Sequence, residues 1–313
     1  MSLFSLSAKK RHSIIWKDHV IRFLASKSPS HDQITTAKEV FLPPGFIQDG
    51  LIKKEEELIE FLIPIFEEWG LKNVNIQMTI PDSQLIIRQH QVKKGKNREE
   101  ILGQLYFDLG DSFLLPWSDP LFDFQIIKKG EVLDDILVFA VQEKVVEQYK
   151  SLVEKLSLSL NAIDVRPLCC YRLFSERLSL EKNKEQVLVM ADQQTLTFAV
   201  FENSFPLFYR YLPLNPIDSQ YLTENDSKNS WKEQIFQELE RVLHFYRYNV
   251  KVGKGQFSHL LLCGDHSNSK EIQTFIAEQT DIPVMTYSHS IEDQTMHHFY
   301  DLFGLILKKK VRS

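Results

Sequence analysis

No uninterrupted apolar run in this sequence approaches the roughly 18 residues that a bilayer-spanning helix needs, so no transmembrane segment is expected. Cysteine is scarce: three in 313 residues, with Cys169 and Cys170 adjacent and Cys263 far away. That spacing makes neither a disulfide framework nor a zinc-ligand set, and a reducing compartment fits it best. A dominant charge is missing too. The net charge of −5 comes from interspersed acidic and basic residues, which excludes the basic stripe of a nucleic-acid binder. The basic stretch from Lys9 to His12 is not followed by the apolar core of a signal peptide. A cytoplasmic protein is the expectation.

What is present is apolar material for more than one core. At 313 residues and 43% apolar content, the chain exceeds one compact core and predicts two lobes. Ile14–Ile15, Val20 to Leu24 and Lys38 to Leu42 read as a small meander. A helix follows over Lys53 to Trp69 despite Pro64, because Leu58, Ile59, Leu62, Ile63 and Phe66 recur at the spacing of one helical face. Strands are expected over Asn73 to Ile80 and Gln84 to Gln91. Residues 98 to 140 form a distinct module of a helix, a Pro116–Trp117 loop and two strands. A helix over Gln142 to Leu156, a strand at Ala162 to Arg166 and a helix from Pro167 to Leu178 complete the first part.

The charged segment Glu181 to Glu185 marks a boundary, after which the chain starts again. Gln186 to Met190, Thr195 to Glu202 and Pro206 to Leu212 make a second meander. Asn215 to Asn229 reads as a flexible loop, followed by a helix over Trp231 to Tyr248. His259 to Val284 is an apolar strand, a tight polar turn at Gly264 and an amphipathic helix. A strand at Pro283 to Tyr287 and a helix from Glu292 to Leu307 close the chain. The predicted domains are 1–185, with an α+β insertion at about 82–141, and 186–313, with a helical excursion at about 215–255. Two halves of like element order imply an α/β duplication.

This order resembles the PilM family of type IV pilus assembly proteins, relatives of the cell-division protein FtsA within the actin-like ATPase superfamily. The likeness rests on REEILGQLYFDLGDSFLLPWSDPLFDFQII and DILVFAVQEKVVEQYKSLVEKLSLSLNAIDVRP, the latter reaching Asp164 in its final strand. In the second half it rests on TLTFAVFENSFPLFYR, with Asn203 at the turn and Arg210 near the end. The closing FYDLFGLILK places Gly304 and Leu305 on the family's terminal helix.

The resemblance implies an actin-like, ribonuclease H-like α/β fold with an inserted subdomain. It also implies a nucleotide cleft built from two glycine-bearing hairpin turns and a glycine-rich adenosine turn. Each departs from that pattern here. The first hairpin reads Ile14-Ile15-Trp16-Lys17-Asp18-His19, without glycine. The second reads Met190-Ala191-Asp192-Gln193-Gln194-Thr195, and the adenosine turn keeps one glycine, Gly264, before Asp265 and His266. Side chains at these positions leave fewer backbone donors and less room for an anion. Asp192, Thr195 and Gly264 are therefore read as remnants of a nucleotide cleft, with ATP and magnesium binding and hydrolysis not expected. The resemblance further implies a scaffold that grips the cytoplasmic tail of a PilN-like bitopic protein, contacts pilus motor ATPases, and sits at the inner face of the membrane through its partners. The alternatives are a working ATPase of the same machine and an FtsA-like division or filament protein.

Other groups have plainer readings. His289, His297 and His298 lack an acidic or thiol partner at ligand spacing, so no metal site is expected. Cys169–Cys170 reads as a packed apolar pair. Glu99–Glu100 and Asp134–Asp135 read as solvated faces. The Phe113 to Trp117 loop is expected to pack on its own lobe, and Leu302 to Lys310 to be a core helix with a solvated basic tail.

Overall fold

The computed structural model describes residues 10–181, 184–214, 224–287 and 298–308, with side chains of 224–230 left aside. The chain falls into two compact units. One comprises residues 1–86, 90–172 and 301–313, the other 87–89 and 173–300.

In the first unit, β1 (Arg11–Trp16), β2 (Val20–Ser26) and β3 (Ile34–Phe41) form an antiparallel meander. A short hairpin of β4 (Ile47–Gln48) and β5 (Leu51–Ile52) leads into α1 (Glu55–Glu68) and then β6 (Asn75–Ile80). An inserted lobe follows: β7 (Leu85–Lys93), α2 (Arg98–Asp108), β8 (Pro120–Lys128) and β9 (Leu133–Gln142). The chain returns through α3 (Glu143–Lys155) and β10 (Ser159–Val165) into α4 (Arg166–Arg177). In the second unit, β11 (Glu185–Ala191), β12 (Thr195–Glu202) and β13 (Phe205–Pro213) precede α5 (Glu224–Phe245). A π-helical turn at Tyr246–Val250 leads to β14 (Phe257–Cys263), α6 (Ser269–Gln279) and β15 (Val284–Thr286). The last helix, α7 (Tyr300–Ile306), belongs to the first unit from Asp301 on.

The two main sheets have the same topology. The first runs β3-β2-β1-β6-β10 and the second β13-β12-β11-β14-β15. In each, three antiparallel strands continue into two parallel ones. In both, a helix (α1 or α5) enters the fourth strand, and the fifth is entered from α3 or α6. The insertion lies between β6 and α3, where the second unit passes directly from β14 to α6. Duplication of one five-stranded plan is thus visible in strand order although no sequence repeat announces it.

Local chemistry accounts for the elements. In α1, Leu58, Leu62 and Phe66 lie at i, i+4 and i+8, all within 2% of full burial, and Pro64 is tolerated on the exposed face, where its missing N–H costs one intrahelical bond. β11 is buried along its whole length, as a central strand covered on both faces must be. On α5 and the π turn, Ile235, Leu239, Val242 and Tyr246 form one stripe against Val187, Val189 and Leu260. The β12–β13 hairpin turns at Asn203 and Ser204 with φ of 50° and 69°, the left-handed pair that a two-residue turn of matching twist requires and that Asn tolerates well.

The structure corrects several sequence expectations. Helix α5 starts at Glu224, so residues 224–229 are helical rather than loop. Asp134 is only 7% exposed and accepts from the Gly130 N–H at 3.1 Å, so it caps a turn instead of lying on a solvated face. Glu99 and Glu100 are exposed as expected, and Glu100 also closes a capping box with Asn97. Lys308 donates to the Ile163 carbonyl at 2.7 Å and is not part of a solvated tail. Residues 309–310, His289, His297 and residues 292–297 of the expected closing helix lie outside the described residues. Phe113 is buried in the inserted lobe's own core while Leu114 is 59% exposed. Cys169 and Cys170 are fully buried, and burial pushes the Cys169 thiol pKa up.

Candidate functional site: two closed hairpin turns

The second-unit turn joins β11 to β12. Ala191 pairs with Leu196, and the Asp192 N–H donates to the Thr195 carbonyl at 2.9 Å, so Gln193 and Gln194 form the tip. Thr195 thus serves as the turn's acceptor. Asp192 is 1% exposed, and its Oδ1 accepts from the Asp265 N–H at 3.1 Å and from the Tyr300 hydroxyl at 2.7 Å.

The turn after β14 is laced onto this one. The Gln193 N–H donates to the Asp265 carboxylate at 3.1 Å, and the Gln193 side-chain amide donates to the Asp265 carbonyl at 2.9 Å. The His266 N–H reaches the Ala191 carbonyl at 3.1 Å. Gly264 lies at the crossing with φ +136°, and a Cβ there would stand 1.8 Å from the Ala191 carbonyl oxygen. Its glycine is required by the approach of two turns of the same unit. The structure therefore brings Asp192, Thr195 and Gly264 into one cluster, in which Asp192 and the turn amide bond to the chain's own groups.

The electrostatic consequence is direct. A hairpin amide such as that of Gln193 is a natural donor to a phosphate oxygen. Here Asp265, 6% exposed, already supplies the anion, and an incoming phosphate must displace or repel it. His266 lies against Trp231, its ring tilted by 33° with centroids 4.8 Å apart. Burial lowers its pKa, against the opposing pull of Asp265, Asp192 and Glu271.

The first-unit turn is closed by similar means. Trp16 pairs with Ile21, and the Lys17 N–H donates to the Val20 carbonyl at 3.0 Å. Asp18 accepts from the N–H groups of Asp49 and Gly50 at 2.6 and 3.0 Å, capping the β4–β5 turn. Nearby, Arg166 sits between Asp82 at 2.5 Å and Asp301 at 3.2 Å, with Lys17 4.0 Å from Asp301. All four side chains are at most 8% exposed. A carboxylate on α7 thus occupies a basic niche inside the unit. Gly304 of the same helix lies against α4, where a Cβ would stand 1.9 Å from the Cys169 carbonyl oxygen.

Sequence reasoning picked out Asp192, Thr195 and Gly264, and noted that Asp265 and His266 follow Gly264. It missed the roles of Gln193, Tyr300 and Arg166. Tyr300 lies 108 positions from Asp192, and no local pattern signals that pairing. Among the described residues no cluster of three or more metal-ligating side chains occurs.

Duplicated five-stranded sheets of this topology, with an insertion in the first half, define an actin-like ATPase fold. The family model for the type IV pilus assembly protein PilM matches residues 18–214. The chain belongs to this family. No curated protein sequence matches it. Among solved structures it is similar to a PilM–PilN type IV pilus biogenesis complex, at 14% identity, covering 95% of this chain and 97% of that one, with a TM-score of 0.76. It is also similar to the ethanolamine utilization protein EutJ from Carboxydothermus hydrogenoformans, at 10% identity, 97% and 91% coverage and a TM-score of 0.53. A Bacteroides thetaiotaomicron protein described as having an actin-like ATPase fold covers 99% of this chain and 100% of its own, at 14% identity and a TM-score of 0.49.

Proposed function

We propose that this chain is a non-catalytic scaffold of a type IV pilus or related secretion machine, working at the cytoplasmic face of the inner membrane. The observation that carries the reading is the internal satisfaction of the second-unit hairpin turn, where Asp265 takes the Gln193 amide. In the first-unit turn, Asp18 adds a carboxylate committed to Asp49 and Gly50. A turn amide already bonded to an internal anion gains little from a phosphate, because binding exchanges one charge-assisted bond for another and adds repulsion.

Its partner in this reading is the cytoplasmic tail of a PilN-like bitopic membrane protein, supported by the family and by the likeness to a structure described as a PilM–PilN complex. No described helix is long and apolar enough to cross a membrane, and membrane contact runs through partners, with the pilus motor ATPases among them. An extended tail suits such a protein, since main-chain pairing supplies affinity and side-chain pockets supply register.

The test is capture of synthetic tails from candidate bitopic proteins by the full chain, with scrambled tails as control. Binding of one tail above its scramble is the expected result, and equal binding refutes the role. A parallel melting experiment with ATP and magnesium separates scaffold from ATPase. A ligand of the folded state at a hundredfold excess over its Kd contributes about 2.7 kcal/mol, so a clear rise in Tm would show that nucleotide binds, and phosphate release from that bound ATP would overturn the non-catalytic reading.

A further inference from the structure

We propose that the open edge of β8 beside α2 is a docking groove for an extended acidic segment of a partner protein, one that alternates carboxylates with apolar side chains. β8 is the end strand of the β7-β9-β8 sheet and, among the described residues, pairs with β9 alone. One row of its main-chain groups therefore faces away from the ladder. A groove of about 440 Å³ runs along this edge in the inserted lobe. Its floor includes Phe124 and Ile126, which are half-buried against the core around Ile101.

The rim is cationic. Lys96, Arg98, Lys128 and Lys129 line the groove, and no carboxylate does. Of the acidic groups nearby, Asp134 accepts from the Gly130 N–H at 3.1 Å and Glu100 from the Asn97 N–H at 2.7 Å. A segment of like charge to the rim would be repelled, and an acidic one drawn in.

The chain itself displays the ligand chemistry. Asp123 Oδ1 accepts from the Arg98 guanidinium at 2.8 Å and from the Phe124 N–H at 2.7 Å. Because that N–H goes to the preceding carboxylate, it lies on the open edge. Arg98 and Asp123 are 58% and 72% exposed, so this pair contributes little to stability. It holds the place that an incoming strand would take. A partner's carbonyl would accept from Phe124, and its carboxylates would meet Arg98, Lys128 and Lys129. Arg98 also lies over the Phe124 ring, 5.1 Å from its centroid, and would roof an apolar side chain on the floor. The two-residue period of a strand matches this split between floor and rim. The groove is separate from both hairpin turns, so the inference stands apart from the scaffold reading.

The test uses the full chain and a fluorescent nine-residue peptide of alternating Glu and Val, as long as the nine residues of β8, alongside the same peptide with Lys for Glu. The Glu peptide is expected to bind and the Lys peptide not. The Lys128→Glu, Lys129→Glu double variant should lose at least tenfold in affinity with unchanged melting, since both residues are exposed. Asp123→Ala should tighten binding by removing the internal competitor. Equal binding of the two peptides, an unaltered double variant, or weaker binding by Asp123→Ala would overturn the proposal. So would displacement of the peptide by a single-stranded oligonucleotide, or a concentration-dependent dimer that the peptide dissolves, which would assign the groove to nucleic acid or to a second copy.

Discussion

The Gln193 N–H at the tip of the β11–β12 turn donates to the Asp265 carboxylate at 3.1 Å. An amide placed where a nucleotide-binding hairpin presents a phosphate donor is satisfied by an anion from the next turn of the same unit. Asp265 is in turn fixed by its own N–H on Asp192, which makes the two turns one hydrogen-bonded body.

Gly264→Ala separates a packing role from a ligand role. With φ at +136° and the added Cβ 1.8 Å from the Ala191 carbonyl oxygen, the substitution forces backbone apart and should cost more than about 3 kcal/mol. Denaturant titration should show a large fall in midpoint. A variant with wild-type stability but altered nucleotide affinity would mean that the glycine serves a ligand.

Tyr300→Phe removes a donor to a buried carboxylate while keeping the ring. The hydroxyl lies 2.7 Å from Asp192, and hydrogen bonds to charged groups contribute about 2 kcal/mol. Asp192→Ala should cost more, because the Tyr300 hydroxyl and the Asp265 N–H both lose this acceptor. A double-mutant cycle between positions 192 and 300 should give a coupling of at least about 1 kcal/mol. Additive effects would show that the bond is energetically idle.

Arg166→Met takes the cation from between Asp82 and Asp301, at 2.5 and 3.2 Å. Breaking a buried ion pair by removing one partner costs about 3–5 kcal/mol. The loss should shrink when Asp301→Asn is added, since one uncompensated charge disappears with it. Chemical unfolding of the two variants checks the order.

His266 has its pKa lowered by burial. The native state therefore resists protonation while the unfolded chain accepts a proton near the ordinary value of about 6.5. Stability from this group is full above that pH and is lost as pH falls through it toward the depressed folded pKa. Wild type should accordingly lose stability relative to His266→Phe between neutral and acidic pH. Trp231 fluorescence, through the 4.8 Å ring contact, should change with a midpoint below that of free histidine, and a midpoint above it would contradict the burial.

The boundaries of most elements were legible before the structure because their signals are local. Leu58, Leu62 and Phe66 declare a helix by spacing alone, and the alternation or continuity of apolar residues declares the strands. The segment 224–229 failed because its composition is polar on every side, and periodicity carries no signal without an apolar stripe. Asp134 failed because a buried cap and an exposed carboxylate look alike in sequence.

By itself, the amino-acid order determined most of the succession of strands and helices, though not the β4–β5 hairpin, together with the glycine-poor turns at Asp18 and Asp192 and the single Gly264. The tertiary structure alone decided how those turns are filled: Tyr300 on Asp192 across 108 positions, and Arg166 on Asp301 across 135. The reason is physical. An apolar period is written in neighbouring residues, whereas the partner of a buried polar group is whichever donor the packed chain brings within about 3 Å.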